Sequence, residues 1–283
     1  MWGCASQLCI MNKRMDIIKR NFFRLLRSGA LGEYERLEPM SDFKWNRLLQ
    51  LLQAQQVTSI AYKGLKNHQF DTDKTFPPSL LESLERLAAQ EVQPAKPATP
   101  RLSNHVLNHR LKKIKNAERH AIDTSTETLQ LLDIVVDNIA QILNRGISLS
   151  GILELGHFLR TKGDRVDFVK FEKWLDHLHI RRMAELEGSI LVAVFNFDTD
   201  ELPFIQRFVN AAYPLTLRTL KHTASDTAEE WHFKQSKTGF LKNNSTVLRR
   251  NLRRSIRYIA YSPIETTSNF MRNFVKSLAE IEE

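Results

Sequence analysis

Apolar residues in this chain recur every three or four positions far more often than every two, the period of helices with one buried face. Met15, Ile18, Phe22 and Leu25 predict a first helix over 12–28, stopped by Ser28-Gly29. A second starts at Ser41, a suitable N-cap, and lines up Trp45, Leu48, Leu49 and Leu52. Segment 57–65 is short and mixed, and its pattern selects no element, while 70–75 reads as loop. Pro77-Pro78 opens a third helix with Leu80, Leu81, Leu84 and Leu87 inward, since proline is tolerated in a first turn.

Residues 91–103, EVQPAKPATPRLS, carry three prolines in a polar stretch and read as a linker. Beyond it, 105–120 is strongly basic, yet Leu107, Leu111 and Ile114 keep a helical stripe. The longest amphipathic helix spans 124–144, with Leu132, Val135, Val136, Ile139 and Leu143 on one side and Gly146 at its end. Two or three further helices fill the chain to Phe197. Phe168, Phe171, Leu175 and Leu178 make one face, and Met183, Leu186, Ile190 and Val194 another. The run ILVAVFNF fits a helix or a buried strand equally well. Near the C-terminus Leu248, Leu252, Ile256 and Ile259 follow the apolar side of a basic helix that Pro263 ends. A last helix places Phe270, Phe274, Leu278 and Ile281 together.

The expected fold is mainly α and multi-helical, with at most a small β element. It divides into an N-terminal helical region (1–90), a proline-containing linker and basic segment (91–118), a central helical region (119–205) and C-terminal basic amphipathic helices (206–283). Ten glycines and nine prolines in 283 residues agree, because sheets use glycine at their turns. The two cysteines, Cys4 and Cys9, stand too close to the N-terminus to staple the body of the fold, which points to a reducing compartment. No apolar run approaches the roughly 20 residues needed to span a bilayer. The first residues, MWGCASQLCIM, lack the basic n-region of a signal peptide, so translation from Met11 or Met15 and a cytoplasmic location are expected.

A net charge of +9 directs attention to anionic partners. Arg249, Arg253 and Arg257 lie along one row of the basic helix, and Arg250 and Arg254 along the next. Like charges four apart repel by roughly 0.2–0.5 kcal/mol per pair, a cost that a bound anion relieves. Nucleotide phosphate, RNA, anionic lipid or the chain's own acidic residues near Glu280, Glu282 and Glu283 are the candidate counter-charges; a solvated face with internal salt bridges is the plain alternative. Arg110, Lys112, Lys113, Lys115 and Arg119 repeat the theme more loosely. His105 and His109 stand one helical turn apart but lack the glutamate of a zinc protease, and His177 and His179 suit a helix C-terminus. No recognisable nucleophile context accompanies the Ser, Cys and His residues.

The stretch 146–204, from GISLSGILELGHFLRTKGD to DTDELPF, resembles the helical region that follows the catalytic core in a family of uncharacterised nucleotidyltransferases with bacterial members. The opening FFRLLRSGALGEYERLEP and FKWNRLLQLLQAQQVTSIAYKGL is similar to their helical lead-in. Residues 244–265, with their arginines and Ser262-Pro263-Ile264-Glu265, are similar to the basic helix and proline turn that close them. The resemblance implies a Gly-Ser turn and a strand bearing Asp-x-Asp, whose carboxylates hold Mg2+ beside a nucleoside triphosphate. The interval expected to carry it holds the proline-rich linker instead. Gly188-Ser189 followed by Asp198 and Asp200 is the nearest imitation; Gly163 to Asp167 has one residue too many, and Asp71 and Asp73 sit in a polar loop.

Three readings follow. The first is a nucleotidyltransferase-like protein with a degenerate core and a binding or regulatory role, no cofactor, and a nucleotide or other phosphate-bearing partner. The second is an active enzyme using Mg2+ at Asp198 and Asp200. The third is a basic helical module for nucleic acid or anionic lipid.

Overall fold

The computed structural model describes residues 15–68, 76–91, 99–220 and 241–279. Both cysteines, positions 12–14 of the first expected helix, the 70–75 loop with Asp71 and Asp73, and the middle of the proline-containing linker lie outside them. Among the described residues the regular structure is twelve α-helices and two 3-10 turns, with no strand. In order they are α1 (Ile17–Leu31), α2 (Asp42–Ala54), α3 (Thr58–Asn67), α4 (Pro78–Gln90), α5 (His105–Arg119), α6 (Thr126–Asn144), α7 (Leu149–Lys162), α8 (Phe168–His177), α9 (Arg181–Phe195), α10 (Ala212–Thr219), α11 (Leu241–Tyr258) and α12 (Pro263–Ala279). The mainly α expectation holds, and the ambiguous run beginning at Ile190 is helical as far as Phe195.

Helix α1 runs three residues past its expected stop at Ser28, through Gly29, and ends where Gly32 takes the left-handed conformation at φ 71°. Gly29 is there for packing. A Cβ on it would lie 1.9 Å from the Ile60 carbonyl oxygen, and one on Gly64 would lie 2.1 Å from that of Leu25. Two glycines thus let the backbones of α1 and α3 cross at a distance no side chain permits. That crossing also explains why 57–65 shows no clear period: part of α3's inner face is glycine.

After α1 the chain doubles back along it. Asn21 clasps the Glu38 backbone, its Nδ2 donating to the carbonyl at 2.8 Å and its Oδ1 accepting from the N–H at 2.9 Å. Arg20 grips Glu38 in a bidentate pair at 2.6 and 2.8 Å, and Arg24 bridges Glu35 and Glu38 at 2.7 Å each. The Arg20 hydrogen bond holds the Glu38 carboxyl below its ordinary value.

Helices α6 to α9 form the second half of the core. Ser125, Ser148 and Asp167 each accept a backbone N–H three residues on, at the N-termini of α6, α7 and α8. Helix α9 is buried on every side from Met183 to Phe195. Gly188 is small because a Cβ there would meet Ile205 Cδ1 at 2.6 Å, and Ser189 Oγ accepts the Val209 N–H at 2.9 Å. The Gly-Ser pair is therefore a packing device inside a helix.

The C-terminal hairpin of α11 and α12 corrects the sequence reading most sharply. Its inward face is Asn251, Arg254 and Tyr258, while Leu252, Ile256 and Ile259 point outward. Arg254 donates to the carbonyl of Asn144 at the C-terminus of α6. Glu265 accepts the N–H groups of Ser103 and Asn104 ahead of α5, the latter at 3.0 Å. Asn104 donates to Ser268 Oγ at 2.8 Å, and Asn273 to Asn144 Oδ1 at 2.7 Å. The hairpin is fastened by helix-end polar contacts rather than by its apolar stripe. Pro263 opens α12 rather than ending α11. Phe270 and Phe274 are half-buried and stacked 6.3 Å apart, as their shared face predicts.

Replacing Glu265→Ala leaves two half-buried N–H groups without their acceptor. The expected loss is about 2 kcal/mol of unfolding free energy in urea, with faster amide exchange at Ser103 and Asn104. Unchanged exchange at both amides would show that the hairpin is held by something else.

Candidate functional site

The turn after α9 carries the acidic pair that the sequence singles out. Asn196 closes α9 in the left-handed conformation at φ 56°, and Phe197 is buried. The chain then makes the 3-10 turn Thr199–Glu201 on the surface. The Asp198 N–H donates to Glu201 at 2.8 Å, and Glu201 in turn accepts from Arg160 at 3.0 Å. Asp198 and Asp200 are both exposed, and the strand that would align them is absent from the described residues. Asp167, the other imitation, caps α8 at 2.9 Å from the Lys170 N–H.

His105 and His109 are exposed on α5, and no group of three or more His, Cys, Asp or Glu with metal-binding geometry occurs among the described residues. His177 lies at the end of α8 as expected, and its carbonyl accepts from Arg110 at 3.0 Å. The looser basic segment is partly spent on structure. Arg110 serves α8, Lys115 pairs with Asp133, and only Lys112, Lys113 and Arg119 of that set are exposed.

The five arginines of α11 separate by direction. Arg249 and Arg253 are exposed and share one row; Arg250 and Arg257 are half-buried; Arg254 is buried against the carbonyl end of α6. A cation belongs at that negative helix pole. The cationic row that faces outward is therefore Arg249 and Arg253, flanked by Arg257. Beside it, turned outward as well, run Leu252, Ile256 and Ile259.

A second polar centre escaped the sequence reading. Glu187 occupies the middle of α9 with no exposure. Its Oε2 accepts from Asn138 Nδ2 at 3.0 Å, while the same amide donates to the Gly151 carbonyl at 3.2 Å. Its Oε1 has no hydrogen-bond partner among the described residues. Burial pushes the carboxyl well above its ordinary value of 4.5; the Asn138 bond opposes that and nearby Asp137 adds to it. The protonated form is favoured, which unsuits this group to bind a cation and makes it a junction between α6, α7 and α9. The signal was there: Glu187 falls in the row Met183, Ile190, Val194, where a polar residue interrupts an apolar stripe.

A cavity of about 350 Å³ opens where the C-terminus of α1 meets α3 and α7, between Lys63, Asn67, His157 and Arg160. Two of its polar groups already serve the helix end. Asn67 donates to the Ser28 carbonyl at 3.1 Å, and His157 Nδ1 sits 3.1 Å from that of Ala30. Arg160 is paired with Glu33 and Glu201 and lies 4.0 Å over the Phe197 ring.

Glu187 yields a pH-dependent expectation. A carboxyl raised in the fold costs no stability below its unfolded value near 4.5 and costs progressively more as pH rises through and above that value. Glu187→Gln should therefore gain stability relative to the native chain from pH 4.5 upward, and the gain should vanish in more acidic solution. Denaturation curves over pH give the test; a gain independent of pH contradicts a titrating Glu187.

Comparison with protein-family models, with curated proteins and with solved structures gives no match for this chain.

Proposed function

We propose that this nucleotidyltransferase-like chain acts by binding a phosphate-bearing partner, through the outward cationic row of α11. The observation that carries this reading is the sorting of the arginines. Arg254 has a structural anchor at Asn144, whereas Arg249 and Arg253, one turn apart, face solvent side by side. Two guanidiniums at that spacing match the bidentate, planar recognition that phosphate oxygens invite. An anion between them also removes their mutual repulsion. The competing role, magnesium-dependent transfer at Asp198 and Asp200, draws no support from an exposed 3-10 turn whose first N–H is committed to Glu201. A degenerate core and a binding role fit that turn better.

Titration of the full chain with inorganic polyphosphate over a range of salt tests the reading. The double change Arg249→Gln with Arg253→Gln should weaken binding at least tenfold. It should also flatten the slope of log Kd against log salt by about 2, one for each phosphate no longer neutralised. Asp198→Ala with Asp200→Ala should alter neither quantity, with or without magnesium. An arginine variant that binds like the native chain overturns the assignment, and so does magnesium-dependent binding that the aspartate variant abolishes.

A further inference from the structure

An ordinary surface helix turns its apolar stripe to the core and its charges to water. Helix α11 turns an apolar row outward beside exposed arginines and buries Arg254 instead. Leu252, Ile256 and Ile259 are 45, 62 and 43% exposed, and their spacing of four and three sets them in one row. Arg249 and Arg253 run alongside, with Arg257 on the flank. Helix α12 adds Ile264, Met271 and Val275, all exposed and spaced seven and four apart. Single exposed leucines need no explanation, but an apolar row bordered by a cationic row on the same outward face is a pattern with a use.

We infer that the outward face of α11 docks on the surface of an anionic phospholipid bilayer. Leu252, Ile256 and Ile259 enter the boundary between headgroups and acyl chains, and Arg249 and Arg253 contact lipid phosphate. The inference rests on the phosphate-binding reading above and specifies its source.

Charge and chemistry select this occupant. Nucleic acid rewards the arginines but offers aliphatic side chains nothing; its stacking partners are aromatic rings, which this row lacks. A second copy of the chain rewards the aliphatic row but sets one net charge of +9 against another. An anionic bilayer satisfies both rows at once. Each basic residue near such a surface adds roughly fivefold to affinity. Three aliphatic side chains bury less than the single acyl chain that alone gives only marginal binding, so the two signals are needed together. Among the described residues no helix is long and apolar enough to cross a membrane.

Flotation of the full chain with vesicles of phosphatidylcholine alone, and of phosphatidylcholine mixed with phosphatidylserine, tests this beside the polyphosphate titration. The native chain should float with the mixed vesicles only. The triple change Leu252→Gln, Ile256→Gln and Ile259→Gln alters exposed positions and should spare the fold. It should cut vesicle binding at least ~10-fold by removing apolar burial while leaving polyphosphate binding intact. Arg249→Gln with Arg253→Gln should weaken both at least ~10-fold. Polyphosphate binding without vesicle binding, or vesicle binding indifferent to the triple change, overturns the bilayer assignment and leaves the phosphate reading standing. A native chain that binds neither ligand overturns both.

Discussion

Helix ends decide how this molecule is put together. Every α-helix leaves backbone N–H groups open at one end and carbonyls at the other, and an all-helical chain has many such ends to satisfy. Local caps satisfy some of them, and side chains from other segments satisfy others. Glu91 accepts the N–H groups of Thr58 and Ser59 at the start of α3, both at 2.9 Å. Glu118 accepts that of Ser125 ahead of α6 at 2.7 Å, and Glu265 serves the start of α5. At the opposite poles, Arg254 meets the last carbonyl of α6 and Arg110 that of α8. Each contact satisfies an end, and all but the Glu118 contact also join two segments far apart in sequence.

That constraint explains the inverted C-terminal hairpin. Burying the exposed parts of Leu252, Ile256 and Ile259 would gain roughly 1 kcal/mol each, about half the value of full burial. Turning α11 over to do so would take Arg254 away from Asn144. A charge-assisted hydrogen bond contributes about 1.5–3 kcal/mol, and an end left unsatisfied costs a further ~1–3 kcal/mol. The two sides are of similar size, so the polar fastening can hold an apolar row in water. The same balance leaves that row accessible to a partner, and the bilayer reading starts from it.

Most of the helices were legible in the sequence because a helix that buries one face must repeat its apolar residues at helical spacing. Trp45, Leu48 and Leu52 did so on α2, and Leu132, Val135 and Ile139 on α6. Periodicity failed where something other than apolar area set the packing. Gly29 looked like a stop because glycine usually ends helices, yet here it admits the backbone of α3. The stripe of α11 was visible, but a stripe does not say which way it faces; the direction came from Arg254 and Glu265, whose partners are 110 and about 160 positions away. Glu187 was hidden for the same reason, since Asn138 comes from another helix. The acidic pair at Asp198 and Asp200 imitated a site because spacing alone cannot distinguish a strand from a turn.

The outward turn of α11's apolar row is the feature on which the bilayer contact depends, and thiol accessibility measures it most directly. In a chain carrying Cys4→Ser and Cys9→Ser, Ile256→Cys and Asn251→Cys place one thiol on each face of the helix. The native protein should expose the thiol at position 256 to a disulfide reagent at nearly the rate of a free cysteine. The thiol at 251 should react at least ~100-fold more slowly, gated by local opening. A protected thiol at 256 with a reactive one at 251 would contradict the account at its root.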